Sequence, residues 1–285
     1  MKKLIKKNLQ AYGINMNTRN AFLLSLTSDI GFKVAQDLKK KGWNIYGTYR
    51  VFNKKLLKVT EKKNLIQIDF SKNLNNIKKI QLIKFLKRIS KINLFSCFSG
   101  NQKPIGLLGR IDFEDWYSSF NINLIVPINI FKISLPFLVK NSSIIFFTGG
   151  GPNKATKFYS AYSLSKFTLI KFIEQMSLEY KKFNFACINP GWVNTKAHRY
   201  LLESKELKNS KDLKKLKSKI KLNEWVSFRK TIDFFDWYIN VKNKKLSGRY
   251  FVLDYDKIFE KSYVNEIGKN ENNLKMRRRE INESN

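Results

Sequence analysis

The chain has 285 residues, 43% of them hydrophobic, and a formal net charge of +33. This length fits one α/β domain, and the apolar content excludes disorder throughout. No apolar run approaches the ~18–20 residues of a membrane span. The single histidine and two cysteines exclude a Cys/His metal cluster and a disulfide framework, so we expect no metal site. Residues 1–19 lack the apolar core of a secretory signal, so we expect a cytoplasmic protein, with an organelle address as the alternative.

The basic residues do not indicate a nucleic-acid-binding protein. Of the 55 basic residues 10 are arginines, and lysines are spread along the chain with clusters at Lys39–Lys41 and Lys205–Lys221. No zinc-finger, basic-zipper or RNA-recognition signature accompanies them. The pattern favours a positive surface for anionic ligands, and specific nucleic-acid binding remains an alternative that rests on charge alone.

Short apolar segments alternate with longer helical patterns. Most of the short segments are continuously apolar, as in strands that are buried on both faces. The predicted strands are Ala21–Leu26, Asn44–Tyr49, Leu65–Phe70, Ile92–Phe98, Ser143–Thr148, Phe183–Asn189 and Arg249–Leu253. The predicted helices are Lys33–Lys41, Asn76–Ile89, Glu114–Leu138 and Ala161–Lys181. This alternation predicts an α/β fold of Rossmann type, a doubly wound parallel sheet of about seven strands with helices on both faces.

The predicted domain covers residues 20–262. It is preceded by a basic extension at 1–19 and followed by a polar tail at 263–285. A lysine-rich helical insertion at 196–222 lies between the sixth and seventh strands.

The first strand runs into a turn, Leu24–Gly31, that opens a helix. Free N–H groups and the helix dipole at such a turn bind phosphate. Only Gly31 remains of the usual glycine fingerprint. An ordinary strand-to-helix turn capped by Ser28 or Asp29 is therefore the alternative.

Tyr162 and Lys166 are four residues apart in a helical segment and share one helix face. A free tyrosine has a pKa of about 10, and a neighbouring ammonium favours the phenolate. The pair can therefore serve as an acid/base for a substrate hydroxyl. Taken alone, the same spacing is common on solvated helices.

The order of these motifs resembles the short-chain dehydrogenase/reductase family over roughly Ala21–Asp254. The fourth strand ends in Cys97-Phe98-Ser99-Gly100, where the family has Asn-Asn-Ala-Gly. Asn123 precedes a leucine in the next helix, Thr148 precedes three glycines, and Pro190-Gly191 is followed by Thr195. Ser247-Gly248-Arg249 with Asp254 looks like the last strand, and Met276–Arg279 like the tail of a subgroup found among polysaccharide-biosynthesis genes.

The resemblance implies an oxidoreductase that transfers a hydride between a nicotinamide cofactor and a carbonyl/alcohol substrate. Tyr162 would be the acid/base, Lys166 would lower its pKa and bind the ribose, Thr148 would bind the substrate oxygen, and Asn123 would hold a water. The implied cofactor-binding residues are Ser25, Thr27, Ser28, Asp29, Ile30, Gly31, Arg50, Asp69, Ser99, Gly100, Tyr162, Lys166, Pro190, Gly191, Val193 and Thr195.

Three departures from the family pattern keep a second hypothesis open. Leu24, Ser25 and Asp29 replace residues of the glycine turn, and a carboxylate at position 29 either repels a diphosphate or points elsewhere. Thr148 stands 14 residues before Tyr162, whereas 13 is the commonest spacing. Cys97-Phe98 replaces the paired asparagines. The alternative is a non-catalytic binding or scaffold protein of the same fold.

The end of the second strand bears on the cofactor and the partners. No acidic residue lies in Thr48–Asn53, and Arg50 can pair with a 2′-phosphate, which favours NADP(H) over NAD(H). The substrate is expected to be a small molecule, with an anionic or sugar-derived compound as one option. Family relatives suggest a homodimer or homotetramer through the helices that carry Asn123 and Tyr162.

Overall fold

A computed structural model describes residues 19–149, 155–208, 210–241 and 243–277. In these residues seven parallel strands form one sheet in the order β3-β2-β1-β4-β5-β6-β7. This arrangement confirms the predicted doubly wound fold. The strands are β1 Asn20–Leu24, β2 Asn44–Tyr49, β3 Leu65–Gln67, β4 Ile92–Cys97, β5 Leu138–Phe147, β6 Asn184–Asn189 and β7 Arg249–Val252.

The helices that cover the sheet follow the predicted alternation. They are α1 Asp29–Lys40, α2 Asn76–Ile89, α3 Phe113–Phe120, α4 Val126–Ser134, α5 Ser160–Glu179, α6 Lys196–Arg199, α7 Lys211–Leu222, α8 Phe228–Asn240 and α9 Lys261–Lys269. The predicted insertion at 196–222 forms α6, a 3₁₀ turn at Tyr200–Glu203, and α7.

Successive strand residues feed two separate cores, because side chains alternate between the faces of a sheet. Phe22 and Phe146 pack with α2, α4 and α5 on one face. Leu23 and Phe147 pack with α1 and α8 on the other face. The continuous apolar runs that predicted the strands thus reflect burial on both sides.

The predicted helix Glu114–Leu138 is divided. A π-helical segment at Asn121–Ile125 separates α3 from α4, and the Val126 N–H bonds to the Asn121 carbonyl. Pro127 follows directly and has no N–H to donate, so a regular α-helical ladder cannot continue through this point.

The same helical stretch, Phe113–Phe137, is long and apolar enough for a membrane span, although no run in the sequence suggested one. In the fold it packs against the sheet, where Ile130 and Phe131 are almost fully buried. Core helices share this composition, so its length alone does not establish a span.

The end of the described chain packs on the domain. The helix α9 runs across the expected boundary between residues 262 and 263, and Ile267 is buried in the core. The Arg249 guanidinium donates to the main-chain carbonyls of Asn270 and Glu271. Residues 1–18 and 278–285, which hold most of the predicted extension and the end of the predicted tail, lie outside the described residues.

Glu174 on α5 binds the C-terminal segment through Arg277. The carboxylate is buried, forms an ion pair with Arg277 and accepts a hydrogen bond from Lys171. The hydrogen bond from Arg277 is the largest influence on its pKa, and together with Lys171 it outweighs burial and holds the pKa at about 2.

Replacing Glu174 by glutamine should therefore lower the free energy of unfolding by about 1–2 kcal/mol at neutral pH. A depressed pKa contributes stability above the ordinary value of 4.5, and this contribution is lost as the pH falls toward about 2. Urea unfolding across this range checks the prediction, with Glu179→Gln on the exposed part of the same helix as the control. Equal destabilisation by both variants, or a Glu174→Gln effect that does not shrink in acid, would contradict it.

Candidate functional site

A cavity of about 1410 Å³ opens at the carboxyl ends of the strands, lined by residues that follow β1, β4, β5 and β6. This is where open α/β sheets bind ligands. Every site residue predicted from the sequence lines the cavity except Gly31 and Asn123. The lining thus includes Ser25, Thr27, Ser28, Asp29, Ile30, Arg50, Asp69, Ser99, Gly100, Thr148, Tyr162, Lys166, Pro190, Gly191, Val193 and Thr195.

The turn after β1 takes a left-handed conformation at Ser25, although this residue is not a glycine. Ser25 has a φ of 56°, a left-handed conformation at the position where relatives have glycine. The Ser25 N–H donates to Thr48 Oγ1 at 2.8 Å, and Ser28 caps α1 through the Gly31 N–H at 3.0 Å. Hydrogen bonds from neighbouring residues thus hold the turn.

Gly31 does not reach the cavity because it lies under the turn. A Cβ at this position would lie 2.8 Å from Ser28 Oγ and 3.0 Å from the Phe98 ring. The glycine is required for close helix–strand packing, the role that the sequence assigned to it.

Asp29 is directed to the insertion. Its Oδ2 accepts a hydrogen bond of 2.9 Å from the Lys196 N–H, at the start of α6. The sequence left open whether this carboxylate faces a diphosphate or points elsewhere. In the structure it accepts a hydrogen bond from the start of α6, and Asp29 also lines the cavity.

Tyr162 presents its hydroxyl at the edge of the cavity. A Cβ on Gly149 would overlap that hydroxyl and lie 3.0 Å from Cζ, so glycine at 149 makes room for the phenol. Burial raises the pKa of Tyr162 to about 12, and a hydrogen bond with the Gln102 side chain opposes this only in part. The phenol is therefore neutral at physiological pH.

Lys166 is buried, and its ammonium donates to the main-chain carbonyls of Ser99 at 2.9 Å and Phe147 at 3.0 Å. Burial lowers its pKa to about 8. The sequence predicted that this ammonium would lower the pKa of Tyr162. In the structure it is not among the influences on that pKa, because the two carbonyls hold it.

Thr148 and Asn123 have different surroundings. Thr148 lines the cavity, and its hydroxyl donates to the Lys166 carbonyl at 3.3 Å. The glycines that follow at 150 and 151 lie outside the described residues.

Asn123 is fully buried, with its side chain bonded to the main chain of Asn101 and to Ser119 Oγ. It thereby fixes the loop that carries Gln102.

Aromatic packing stands where relatives have paired asparagines. The ring of Phe98 lies 4.9 Å from that of Phe147 and stacks on Phe235 at 5.9 Å. The Phe98 N–H donates to the Leu24 carbonyl, so the main chain still joins β4 to β1 at this point. Aromatic contacts of Phe98 thus replace the polar contacts that paired asparagines make between neighbouring strands.

The end of the cavity beside β2 and β3 carries charged side chains. Asp69 accepts hydrogen bonds from the Ser71 N–H at 3.0 Å and from the Ser71 hydroxyl at 2.8 Å. Burial raises the pKa of Asp69, but these bonds and the charges of Arg50 and Lys72 outweigh it, and the net shift is downward. Arg50 is exposed and lines the same end.

Several lining residues were not identified from the sequence as binding residues. Gln102 Oε1, Ser163 Oγ and His198 Nδ1 are buried without a hydrogen-bond partner among the described residues. His198 stacks on Trp192 at 5.0 Å. Gln102 and Ser163 gave no sequence signal, because an amide or a hydroxyl in a polar loop or helix has no distinctive pattern.

The described residues hold no group of three or more His, Cys, Asp and Glu side chains that could bind a metal ion. Cys97 and Cys187 are both free and buried.

Comparison with known proteins places the chain in a family. The family model described as Enoyl-(Acyl carrier protein) reductase matches residues 26–228. Comparison with curated sequences gave no significant match.

Solved structures share the fold at low sequence identity. A short-chain dehydrogenase/reductase from Saccharomyces cerevisiae is 17% identical with a TM-score of 0.71, over 87% of this chain and 98% of that one. The aldohexose dehydrogenase of Thermoplasma acidophilum is 15% identical with a TM-score of 0.69, over 82% and 92%. A short chain dehydrogenase from Shigella flexneri, complexed with NADP, is 15% identical with a TM-score of 0.67, over 84% and 98%.

The family match covers well over half of the sequence, and the sheet order agrees with it. The chain therefore belongs to the short-chain dehydrogenase/reductase family of NAD(P)-dependent oxidoreductases.

Proposed function

We propose that the protein interconverts a carbonyl and an alcohol with NADP(H), and that Tyr162 exchanges the proton with the substrate oxygen. One observation carries this proposal. The Tyr162 hydroxyl, the Lys166 ammonium and the Thr148 hydroxyl line the same cavity as the phosphate-type turn at Ser25–Asp29.

The residues present fit a nicotinamide dinucleotide. The turn keeps its left-handed residue at Ser25 and the helix that follows it, and the far end of the cavity offers Asp69 and Arg50. Ser99, Gly100, Pro190 and Thr195 would flank the nicotinamide half, and Lys166 would bind its ribose. When bound, the cofactor supplies or accepts the hydride, and the protein supplies orientation and proton chemistry.

The protonation state of Tyr162 suits one direction of the reaction. A buried phenol with a pKa of about 12 carries its proton at neutral pH and can donate it to a carbonyl oxygen. Alcohol oxidation needs the phenolate, which this environment disfavours. We propose that the Lys166 ammonium turns from the Ser99 and Phe147 carbonyls toward the phenol during turnover. The flexible four-carbon stem of lysine allows this movement.

Thr148 and Gln102 complete the proposed oxygen site. A threonine hydroxyl both donates and accepts hydrogen bonds, so it can hold the substrate oxygen in either redox state. The hydrogen bond between Gln102 and Tyr162 orients the phenol from the other side. Asn123 acts as a positioning residue for Gln102 through its bonds to Asn101.

NADPH should stabilise the protein against heat. At a hundredfold excess over the dissociation constant, the midpoint should rise by about 5–10 °C. Arg50→Gln should weaken NADPH binding roughly tenfold and leave NADH binding unchanged, because only NADPH presents a 2′-phosphate. Thermal shift and calorimetry with both nucleotides check this. No shift with either nucleotide would support the scaffold alternative, and an equal loss for both would contradict the role of Arg50.

We further propose a homo-oligomer in the cytoplasm. The helices α3 and α5 pack side by side and expose large apolar side chains that a second copy would cover. These side chains are Phe113, Tyr117, Leu164, Phe167 and Leu178.

A further inference from the structure

The insertion after β6 places one helix, α7, along the wall of the cavity. Leu213 and Leu216 are buried in a small apolar cluster with Tyr159, Leu201 and Leu207. Ser210 caps the helix through the Leu213 N–H at 3.1 Å. Tyr159 is the N-cap residue of α5 and stands three residues before Tyr162, so this packing joins α7 to the start of the helix that carries the proposed catalytic phenol.

One face of α7 is basic. Lys211, Lys215 and Lys219 are spaced at i, i+4 and i+8 and all line the cavity. The Lys215 ammonium lies 5.6 Å from the centre of the Trp192 ring, and Lys219 donates to the Glu224 carbonyl. Because Trp192 also lines the cavity, the first contact places the Lys215 ammonium at the cavity edge. Lys217 and Lys221 lie on another face and are exposed.

The wall next to this row is aromatic. The His198 ring stacks on Trp192 at 5.0 Å and lies tilted to Trp225 at 6.0 Å. Burial lowers the pKa of His198 to about 4, so its imidazole is neutral, and Nδ1 has no hydrogen-bond partner in the described part of the chain. His198 lines the cavity, and its neutral ring suits an uncharged portion of a ligand, whereas the lysines suit an anion.

The acidic side chains near Lys211, Lys215 and Lys219 do not neutralise the positive charge of these three lysines. Asp212 is the one acidic lining residue described on α7 itself. Asp29 also lines the cavity and accepts the Lys196 N–H, and Asp254 lies against Gly191. The α7 part of the lining therefore has three lysines and one carboxylate.

We propose that the substrate carries an anionic group, a phosphate or a carboxylate, which Lys211 and Lys215 of α7 bind while its polar body contacts His198. This inference rests on the proposed function for the position of the reacting carbonyl at Tyr162. It adds the substrate class, which the family does not define.

Three hexoses that differ in one group test the inference, with glucose 6-phosphate, glucuronate and glucose as the probes. Binding is measured by calorimetry at low salt, with and without NADP⁺, on wild-type protein, Lys211→Gln/Lys215→Gln and the matched control Lys217→Gln/Lys221→Gln. Both double variants remove the same charge from the same helix. Melting temperatures of the variants confirm that they fold.

We expect at least one anionic hexose to bind more tightly than glucose, with an affinity that falls as salt is raised. The Lys211→Gln/Lys215→Gln variant should lose roughly tenfold in that affinity, and the control should stay within about twofold of wild type. The phosphate and carboxylate arms then identify the preferred anion. Equal binding of all three hexoses, or an equal loss in both double variants, would overturn the inference.

This outcome is separable from the proposed function. If NADP⁺ and NADPH fail to bind but the anionic hexose still requires Lys211 and Lys215, the anion site stands and the oxidoreductase proposal fails. If the nucleotides bind and no hexose distinguishes the variants, the oxidoreductase proposal stands and the anion site falls.

Discussion

Tyr162→Phe should reduce carbonyl turnover by about 10²–10⁴-fold while leaving the fold and NADPH binding intact. The change removes only the hydroxyl, which contacts Gly149 and Gln102 at the cavity edge, and keeps the buried ring. Steady-state rates of NADPH oxidation with a panel of aldehydes and ketones, together with the NADPH dissociation constant, measure both effects.

Tyr159→Phe is the matched control. This tyrosine also lines the cavity and is buried in the cluster under α7. Its loss should change turnover by no more than a few fold. Comparable losses in the two variants would show that the cavity needs both phenols for its structure, which would contradict a special role for Tyr162.

Gly149→Ala should be nearly as damaging to turnover as the loss of the phenol. A Cβ at this position would overlap the Tyr162 hydroxyl and lie 3.3 Å from Cε1, so the phenol has to move. Proximity effects make such displacements costly, since a shift of about 1 Å can lower a rate a hundredfold. We expect a loss of about 10²-fold in kcat, with a small change in melting temperature.

Gly109→Ala is the control for that substitution. Apart from Gly109 and its two chain neighbours, no atom of the described residues lies within 4 Å of a Cβ at Gly109, so alanine fits there. Its turnover should equal that of the wild type. Wild-type turnover in Gly149→Ala would show that the phenol position is not critical.

The fold followed from the sequence because its strands are buried on both sides. Short lysine-free segments with large apolar side chains stand out from the lysine-rich surroundings. The strand Asn44–Tyr49 begins and ends where the sequence predicted. The helix Asn76–Ile89 is also confirmed at both ends. Elements with weaker patterns differ at their ends, as at β5, which starts five residues earlier than predicted.

Details of the site depended on tertiary contacts that no local pattern encodes. Ser25 takes a left-handed conformation that a glycine-based motif would not predict for serine, because Thr48 on β2 holds its N–H. Lys166 shares a helix face with Tyr162, as its spacing indicated. The hydrogen-bond acceptors of its ammonium are the Ser99 and Phe147 carbonyls, which the ends of β4 and β5 place there.

The C-terminal segment shows the same limit. Its polar composition gave no sign in the sequence of how it packs. Carbonyls of this segment meet the Arg249 guanidinium, and Arg277 meets Glu174. Polar segments that dock through charge lack the apolar periodicity on which sequence-based prediction depends.

The proposed function requires that Tyr162 exchange its proton when Lys166 and the cofactor are in place. Ultraviolet difference titration of phenolate formation, with Tyr162→Phe as the reference, measures the pKa of this one phenol. We expect a pKa near 12 without nucleotide, and a pKa below the ordinary 10 with NADP⁺ bound that rises again in Lys166→Met. A phenol that still titrates near 12 with NADP⁺ bound, or whose pKa does not respond to Lys166→Met, would contradict it.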